Sequence, residues 1–225
     1  MPRNIEKDLH EETRRRKHIL ESGLKLFSEQ GIESVSMNAV AAAAGVGPTT
    51  LFKYFQNKEK LVISISGMAW KNVWRETLSQ YGEKQFSEFT AYKMIRIYTS
   101  SLIHIYQEHP EILRFSGNYK TFICRQHTKV EALGEHLEPL KPIQTMFHQA
   151  YIRAKTDHSI RTDISEEVLF TSVAIGMLAI AERYAQGIIW ADRGEKDHTR
   201  ELQIVQEMIL NWCVEGNADS PSVNI

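Results

Sequence analysis

Cysteine is nearly absent from this 225-residue sequence: Cys124 and Cys213 stand alone, 89 residues apart. Without CxxC spacing they supply neither a disulfide framework nor a thiolate zinc site, and they suit a reducing compartment. Proline and glycine are scarce too, at 6 and 12 residues, which removes collagen-like repeats and low-complexity disorder. No apolar run approaches the ~20 residues that cross a bilayer. The longest, Val173 to Ala181, stops at Glu182, and the start, MPRNIEKDLHEETRRRK, has no apolar signal-peptide stretch. The expectation is a protein that is neither secreted nor membrane-spanning, hence cytoplasmic. Charge of one sign is also missing. Lys and Arg number 27 against 28 acids, net −1, which taken whole argues against a chain coated in positive charge for nucleic acid. Catalytic signatures are lacking as well. There is no HExxH, no GxSxG and no acidic EF-hand loop, and Gly45-Val46-Gly47 is not followed by GK[ST]. The nine histidines are scattered, with His104 and His109 on different helix faces, so no enzyme, metal or cofactor is expected.

What is present is apolar periodicity. With 42% hydrophobic residues and almost no polar/apolar alternation, the chain reads as all-α, about nine helices. From about residue 10 to 30, Ile19, Gly23 and Phe27 fall four apart, with Leu20 and Leu24 on the adjoining row, and Gly31 supplies a stop. Ser36 is placed to cap a short helix carrying Val40, Ala41 and Ala44, which Gly45 ends. Pro48, suited to a first helical position, opens a second short helix through Phe55. Asn57 can cap the next, from Lys58 to about Tyr81. Further helices are expected at about 86–108, 110–124, 139–156, 165–190 and 198–215, separated by Pro110, Pro139 and Pro142, by Thr156 to Ser165 and by Asp192 to Asp197. Residues 216–225 are expected to fray.

Two short helices about a glycine-bearing turn have the arrangement of a helix-turn-helix, whose second helix enters the major groove of DNA. Leu51 and Phe55 would hold that helix to the first two, while Thr49, Thr50, Lys53 and Tyr54 project from the other side. Threonine can read base edges, including the thymine methyl, and Lys53 and Lys58 can reach phosphates. Pro48 leaves its neighbours' amides facing outward for phosphate. Arg14, Arg15, Arg16 and Lys17 form a basic cluster suited to steering phosphate, the plainer alternative being a solvated helix start. The domain division expected on this basis is 1–55 for DNA binding and 56–225 for the remainder.

The stretch Arg14 to Val62 resembles the N-terminal DNA-binding domain of the TetR family of one-component transcriptional regulators. The resemblance lies in Phe27 and Gly31, the Ser36 cap, Val40-Ala41-x-x-Ala44-Gly45-Val46, and Leu51-Phe52-x-Tyr54-Phe55-x-x-Lys58-Glu59-x-Leu61. It implies backbone contacts for Tyr54 and Lys58 and a phosphate near Ser36. Three positions depart from the pattern: Thr49 stands where glycine is usual, Gly47 where serine is common, and Phe52 where most members carry a tyrosine whose hydroxyl touches phosphate. Any DNA contact of Phe52 is therefore apolar.

The remaining four-fifths is similar to the family in helix number, in Ile160-Arg161-x-Asp163-Ile164, and in the long helix that follows. Val168, Ile175, Leu178 and Ala181 of that helix lie on one broad apolar face, and Ala174, Ala181 and Ala185 are small enough for close approach. The last helix carries Leu202, Val205, Ile209 and Trp212 at a spacing suited to a knobs-into-holes seam. These two helices look like the family's dimer-forming pair, the alternative being that both fill one protomer's core. A dimer would set two recognition helices about one DNA turn, ~34–36 Å, apart on a pseudo-palindromic operator.

Aromatic and soft residues mark the middle helices: Trp70, Trp74, Tyr98 and Phe115, then Tyr119, Phe122, Phe147, Tyr151 and Met177. In the family the equivalent helices enclose an effector pocket, although aromatics at helical spacing also simply pack cores. Arg96, His104, Arg125 and His148 are candidate polar handles. The expected protein is thus a homodimeric, ligand-responsive regulator, a repressor released from its double-stranded operator by a small apolar or amphipathic molecule. The rival is a ligand-sequestering or protein-interaction module of the same fold without specific DNA binding; an activator and a non-selective DNA binder are further alternatives. Charge is unevenly placed. Residues 1–60 hold 10 Lys/Arg and 8 acids, residues 61–225 hold 17 and 20, so binding should be selective and poor on random DNA.

Overall fold

The computed structural model describes residues 5–81, 88–187 and 197–214, and among them every regular element is helical. Among the described residues there are nine helices of seven residues or more: α1 (Ile5–Gln30), α2 (Met37–Ala43), α3 (Pro48–Phe55), α4 (Lys58–Ser79), α5 (Ala91–Glu108), α6 (Pro110–Gln126), α7 (Lys141–Asp157), α8 (Glu166–Ala185) and α9 (Thr199–Cys213). The start of the helix expected at 86, the end expected at 190, the break from Asp192 and the tail 216–225 lie outside the described residues. Between α6 and α7, the 3₁₀ turns Val130–Leu133 and Glu138–Leu140 flank a single α-turn, Gly134–Leu137.

The chain divides into two compact units. One comprises residues 1–73 and 111–139, the other 74–110 and 140–225. In the first, the i, i+4 stripe of α1 is buried as its periodicity dictates, Ile19 and Phe27 packing with Val40 and Ala41 of α2 and Leu51 and Phe55 of α3. Leu61, Val62 and Ile65 of α4 and Phe115, Tyr119 and Phe122 of α6 complete the same core. Each fully buried phenylalanine contributes roughly 1.5–3 kcal/mol. Gly23 is what lets α1 and α4 approach, since a Cβ there would stand 2.6 Å from Ile65 Cδ1. Gly31, at φ +83, turns the chain out of α1. From Leu61 to Gly67, α4 is buried on every side, the pattern of a helix surrounded by protein.

In the second unit α5 is central and packs on α7, α8 and α9. Its N-terminal amides are capped from outside the helix. Ala91 N–H donates to Asp157 Oδ2 at 2.8 Å and Tyr92 N–H to Ser159 Oγ at 3.0 Å. Ile160 is buried and the Arg161 guanidinium lies 4.7 Å from the Trp212 ring while pairing with Asp163. Gln206 of α9, also buried, donates to Thr99 Oγ1 at 2.9 Å and Ser100 Oγ at 2.7 Å. Within α8, a π-helical turn spans Thr171–Ile175, and the Tyr98 hydroxyl donates to the Ala174 carbonyl at 3.0 Å. By length and composition alone α8 could cross a membrane. Its one face, Leu169, Val173, Met177 and Ala181, is nevertheless core of this unit, beside a buried Glu182.

Candidate nucleic-acid interface

The geometry of the head follows from three local signals. The Ser36 hydroxyl accepts from Ala39 N–H at 3.1 Å, satisfying an orphan donor at the start of α2. Gly45, at φ +61, breaks α2. Pro48 occupies the first turn of α3, where its missing N–H is harmless. Leu51 and Phe55 are buried, which rotates Pro48, Thr49, Phe52 and Lys53 to the outside, with Thr50 and Tyr54 half-buried. Ser36, Arg14, Arg15 and Lys17 are exposed, Lys17 standing 3.6 Å from Glu21 one turn along α1.

Two residues expected at phosphates also have partners inside the first unit. Arg16 Nη2 lies 3.2 Å from Glu135 Oε2 and 3.3 Å from Ser64 Oγ, with the guanidinium 5.3 Å from the Phe55 ring. Lys58 Nζ donates to the Glu33 carbonyl at 3.1 Å and sits 5.9 Å from the Phe27 ring. Burial lowers the Lys58 pKa, with Glu33 partly offsetting it. Both cations staple α1 or its following loop to α4. Asn57 caps α4 as expected, accepting from Lys60 N–H at 2.8 Å. The corner between α3 and α4 is two residues long and tight, with Gln56 at φ 59 and its N–H bonded to Phe52 O at 2.8 Å.

The sequence did not announce the role of residues 134–137. Ser64 Oγ donates to Glu135 Oε2 at 2.6 Å, and Ser66 Oγ lies 2.8 Å from His136 Nδ1. A Cβ on Gly67 would stand 2.1 Å from the Glu135 carbonyl oxygen. Glycine inside an otherwise apolar helix was the one signal for this close approach. The Arg16–Glu135 pair is largely exposed and worth ~0–1 kcal/mol, so packing and the buried serines carry most of the contact.

His136 is faced by Ser66, by the Tyr119 ring with centroids 4.6 Å apart, and by Lys120. Burial first and Lys120 second hold its pKa down to about 4. The unfolded chain, with its histidine near 6.5, then binds the proton that the folded one refuses. Stability contributed here is complete above pH ~6.5 and lost as the pH falls toward 4. Urea midpoints at pH 7, 5.5 and 4.5 should therefore fall less steeply for His136→Asn than for the parent; parallel curves would contradict this environment.

The expected effector residues form two sets instead of one. Trp70, Phe115, Tyr119 and Phe122 belong to the first unit, where Phe115 and Phe27 rings stack at 6.4 Å and the last three are core of the head. Trp74, Tyr98, Phe147 and Met177 are buried in the second, with Tyr98 5.6 Å from Trp74 and 5.1 Å from Phe147. Tyr151 donates to Ile164 O at 2.7 Å. Of the polar handles, Arg96 and His104 are exposed, Arg125 pairs with Glu33 at 2.7 Å, and His148 Nδ1 lies 3.0 Å from Glu166 Oε2. A cleft of about 460 Å³ opens in the first unit beside Glu33, Lys58, Glu59 and Gln126, sharing only Phe122 with the expected lining.

The seam residues also separate. Ala174, Ala181, Ala185 and Leu202 are buried within the protomer. Leu178, Val205 and Ile209 are half-buried and Trp212 is exposed. The exposed large apolar residues of α8 and α9 are Val168, Ile175, Ile204, Met208 and Trp212, of which Val168, Ile175 and Trp212 belong to the apolar faces read from the sequence.

Residues 19–65 match the family model for bacterial regulatory proteins of the tetR family. An HTH-type transcriptional regulator of Staphylococcus aureus (strain bovine RF122 / ET3-1) is 28% identical over 171 residues, 73% of this chain and 80% of that protein. The HTH-type transcriptional regulator AcrR of Shigella flexneri is 38% identical over 58 residues, but these span only 26% of this chain and 27% of AcrR. Among solved structures, the transcriptional regulator FadR from Bacillus subtilis, in complex with stearoyl-CoA, superposes with a TM-score of 0.62 at 16% identity, covering 87% of this chain and 98% of FadR.

Proposed function

Since this chain belongs to the TetR family and is a DNA-binding transcriptional regulator, we propose that it acts in the cytoplasm as a dimeric repressor of a pseudo-palindromic operator, relieved by a small apolar or amphipathic effector. The carrying observation is α3, whose Leu51 and Phe55 are core while Thr49, Phe52 and Lys53 stand in solvent with no task in the fold. A rigid two-residue corner passes the position of α3 directly to α4. The functional division is residues 1–55 for reading DNA and 56–225 for dimerisation and effector binding. An effector favouring the non-DNA state moves α4 and takes the two recognition helices out of register.

An acyl or other amphipathic effector is supported by the aromatic and soft residues Trp74, Tyr98, Phe147 and Met177 of the second unit, and by the stearoyl-CoA held by the FadR of similar fold. Within the DNA-binding set, Arg14, Arg15, Arg16, Lys17, Ser36, Lys53, Tyr54 and Lys58 contact or steer phosphate, as do the amides beside Pro48, and Thr49 and Thr50 lie at the base edges.

The test is a gel shift, at low salt and without effector, on duplexes enriched from a random library. Lys53→Ala should weaken the shift and lower the slope of log K against log [salt] by about 1 per protomer, with the thermal midpoint unchanged. An unchanged slope removes Lys53 from the interface, and no specific shift at all favours the ligand-sequestering module.

A further inference from the structure

The outward surface of α3 has few groups that read bases by hydrogen bonds: residues 48–55 contain no Arg, Asn or Gln, and Lys53 is their one charged residue, while Asn38 is exposed at the start of α2. Guanine is ordinarily read by Arg or Lys, and adenine by Asn or Gln. Beyond Asn38, Thr49, Thr50 and Lys53, what this surface offers is small or apolar. Ala42, Ala43, Gly45 and Gly47 are exposed along the rim, and no neighbour lies within 4 Å of where a Cβ would stand on either glycine. At its centre stands Phe52, 44% exposed, one helical turn beyond Thr49. Burial of Leu51 at 0% and Phe55 at 2% fixes the rotation of the helix, so the ring cannot retreat inward without unpacking the head.

A phenyl ring has no group to give a phosphate oxygen. The base-edge feature that matches it is the 5-methyl group of thymine, which also suits the threonine methyl. We propose that Phe52, flanked by Thr49, reads a thymine methyl in each half-site, so that specificity at this position is apolar contact in place of a hydrogen bond. The inference rests on the reading that α3 enters the major groove. It predicts a position at which thymine is preferred over cytosine for its methyl group, and at which discrimination, unlike overall affinity, is insensitive to salt.

The experiment uses the full chain and the operator enriched from a random duplex library, with each thymine replaced in turn by deoxyuridine, which deletes only the methyl. One thymine per half-site should respond by roughly fourfold, and the symmetrical pair by roughly 15-fold, as expected for burying one methyl group at each. Phe52→Ala should bind the parent operator as weakly as the parent protein binds the deoxyuridine operator, and should no longer sense the substitution. Phe52→Tyr, which keeps the ring, should still sense it. If an operator is enriched but no deoxyuridine matters, or if Phe52→Ala remains equally sensitive, the assignment of Phe52 falls while DNA reading stands. If no sequence is enriched, both fall together.

Discussion

Gly67→Ala is expected to destabilise the protein by about 2–3 kcal/mol, read as a fall in the urea midpoint at constant slope. Helix propensity alone predicts the opposite sign, because alanine is favoured over glycine by ~1 kcal/mol inside a helix. Position decides. The new methyl would stand 2.1 Å from the carbonyl oxygen and 2.9 Å from the carbonyl carbon of Glu135, and backbone atoms cannot swing aside as a side chain does. Either α4 or residues 134–137 must move. The move would break the Ser64 and Arg16 contacts to Glu135 and part Ser66 from His136. Gly176→Ala, in α8 with nothing within 4 Å of the added atom, is the matched control and should be neutral or stabilising by up to ~1 kcal/mol. Should both variants gain stability alike, the close approach of α4 to residue 135 is refuted. Because α4 begins two residues after α3, the displaced variant should also bind its operator with altered affinity, whereas Gly176→Ala should not.

That contact illustrates where a sequence stops being informative. The head was legible because its determinants are local. The Ser36 cap, the stops at Gly31 and Gly45, Pro48 at the start of α3 and Asn57 ahead of α4 each act within four residues, and the structure has them where those rules place them. Partnerships over distance were not legible. Arg16 reads as one of four equivalent cations, and only the fold brings Glu135, 119 residues away, against it. Nothing near Lys58 in the sequence marks its hydrogen bond to the Glu33 carbonyl either, 25 residues away. The same limit separated the aromatics. Helical spacing marked Phe115, Tyr119 and Phe122 as inward-facing, correctly, but inward for α6 is the core of the DNA-binding head. Spacing identifies an apolar face without naming the surface it meets.

Met208→Glu is expected to leave a folded monomer that no longer holds an operator, and Ile175→Glu to do the same. The dimer proposed above would be joined through the apolar residues that the protomer leaves uncovered. Along α8, Val168 and Ile175 are 47% and 48% exposed, and along α9, Ile204 and Met208 are 43% and 65% exposed. Ile204 and Met208 are four apart, which aligns them on one face of α9. A two-fold seam contains each substituted position twice, so one glutamate per chain enters as a pair of desolvated like charges, at several kcal/mol. Each 1.4 kcal/mol raises the dissociation constant tenfold, enough to abolish the dimer at micromolar concentration. The monomer meets one half-site only, and its affinity should fall from the 10⁻⁸–10⁻¹¹ M range of specific complexes toward the roughly 10⁻⁴–10⁻⁶ M of non-specific ones. Leu202→Glu makes the contrast. Leu202 is fully buried in the protomer, so the same charge there should lower the melting temperature instead of the mass. Light scattering and a thermal melt on the three proteins separate the cases. A Met208→Glu protein that melts like the parent and still scatters as a dimer would place the interface elsewhere than on α9, and an operator bound tightly by a proven monomer would remove the need for a dimer altogether.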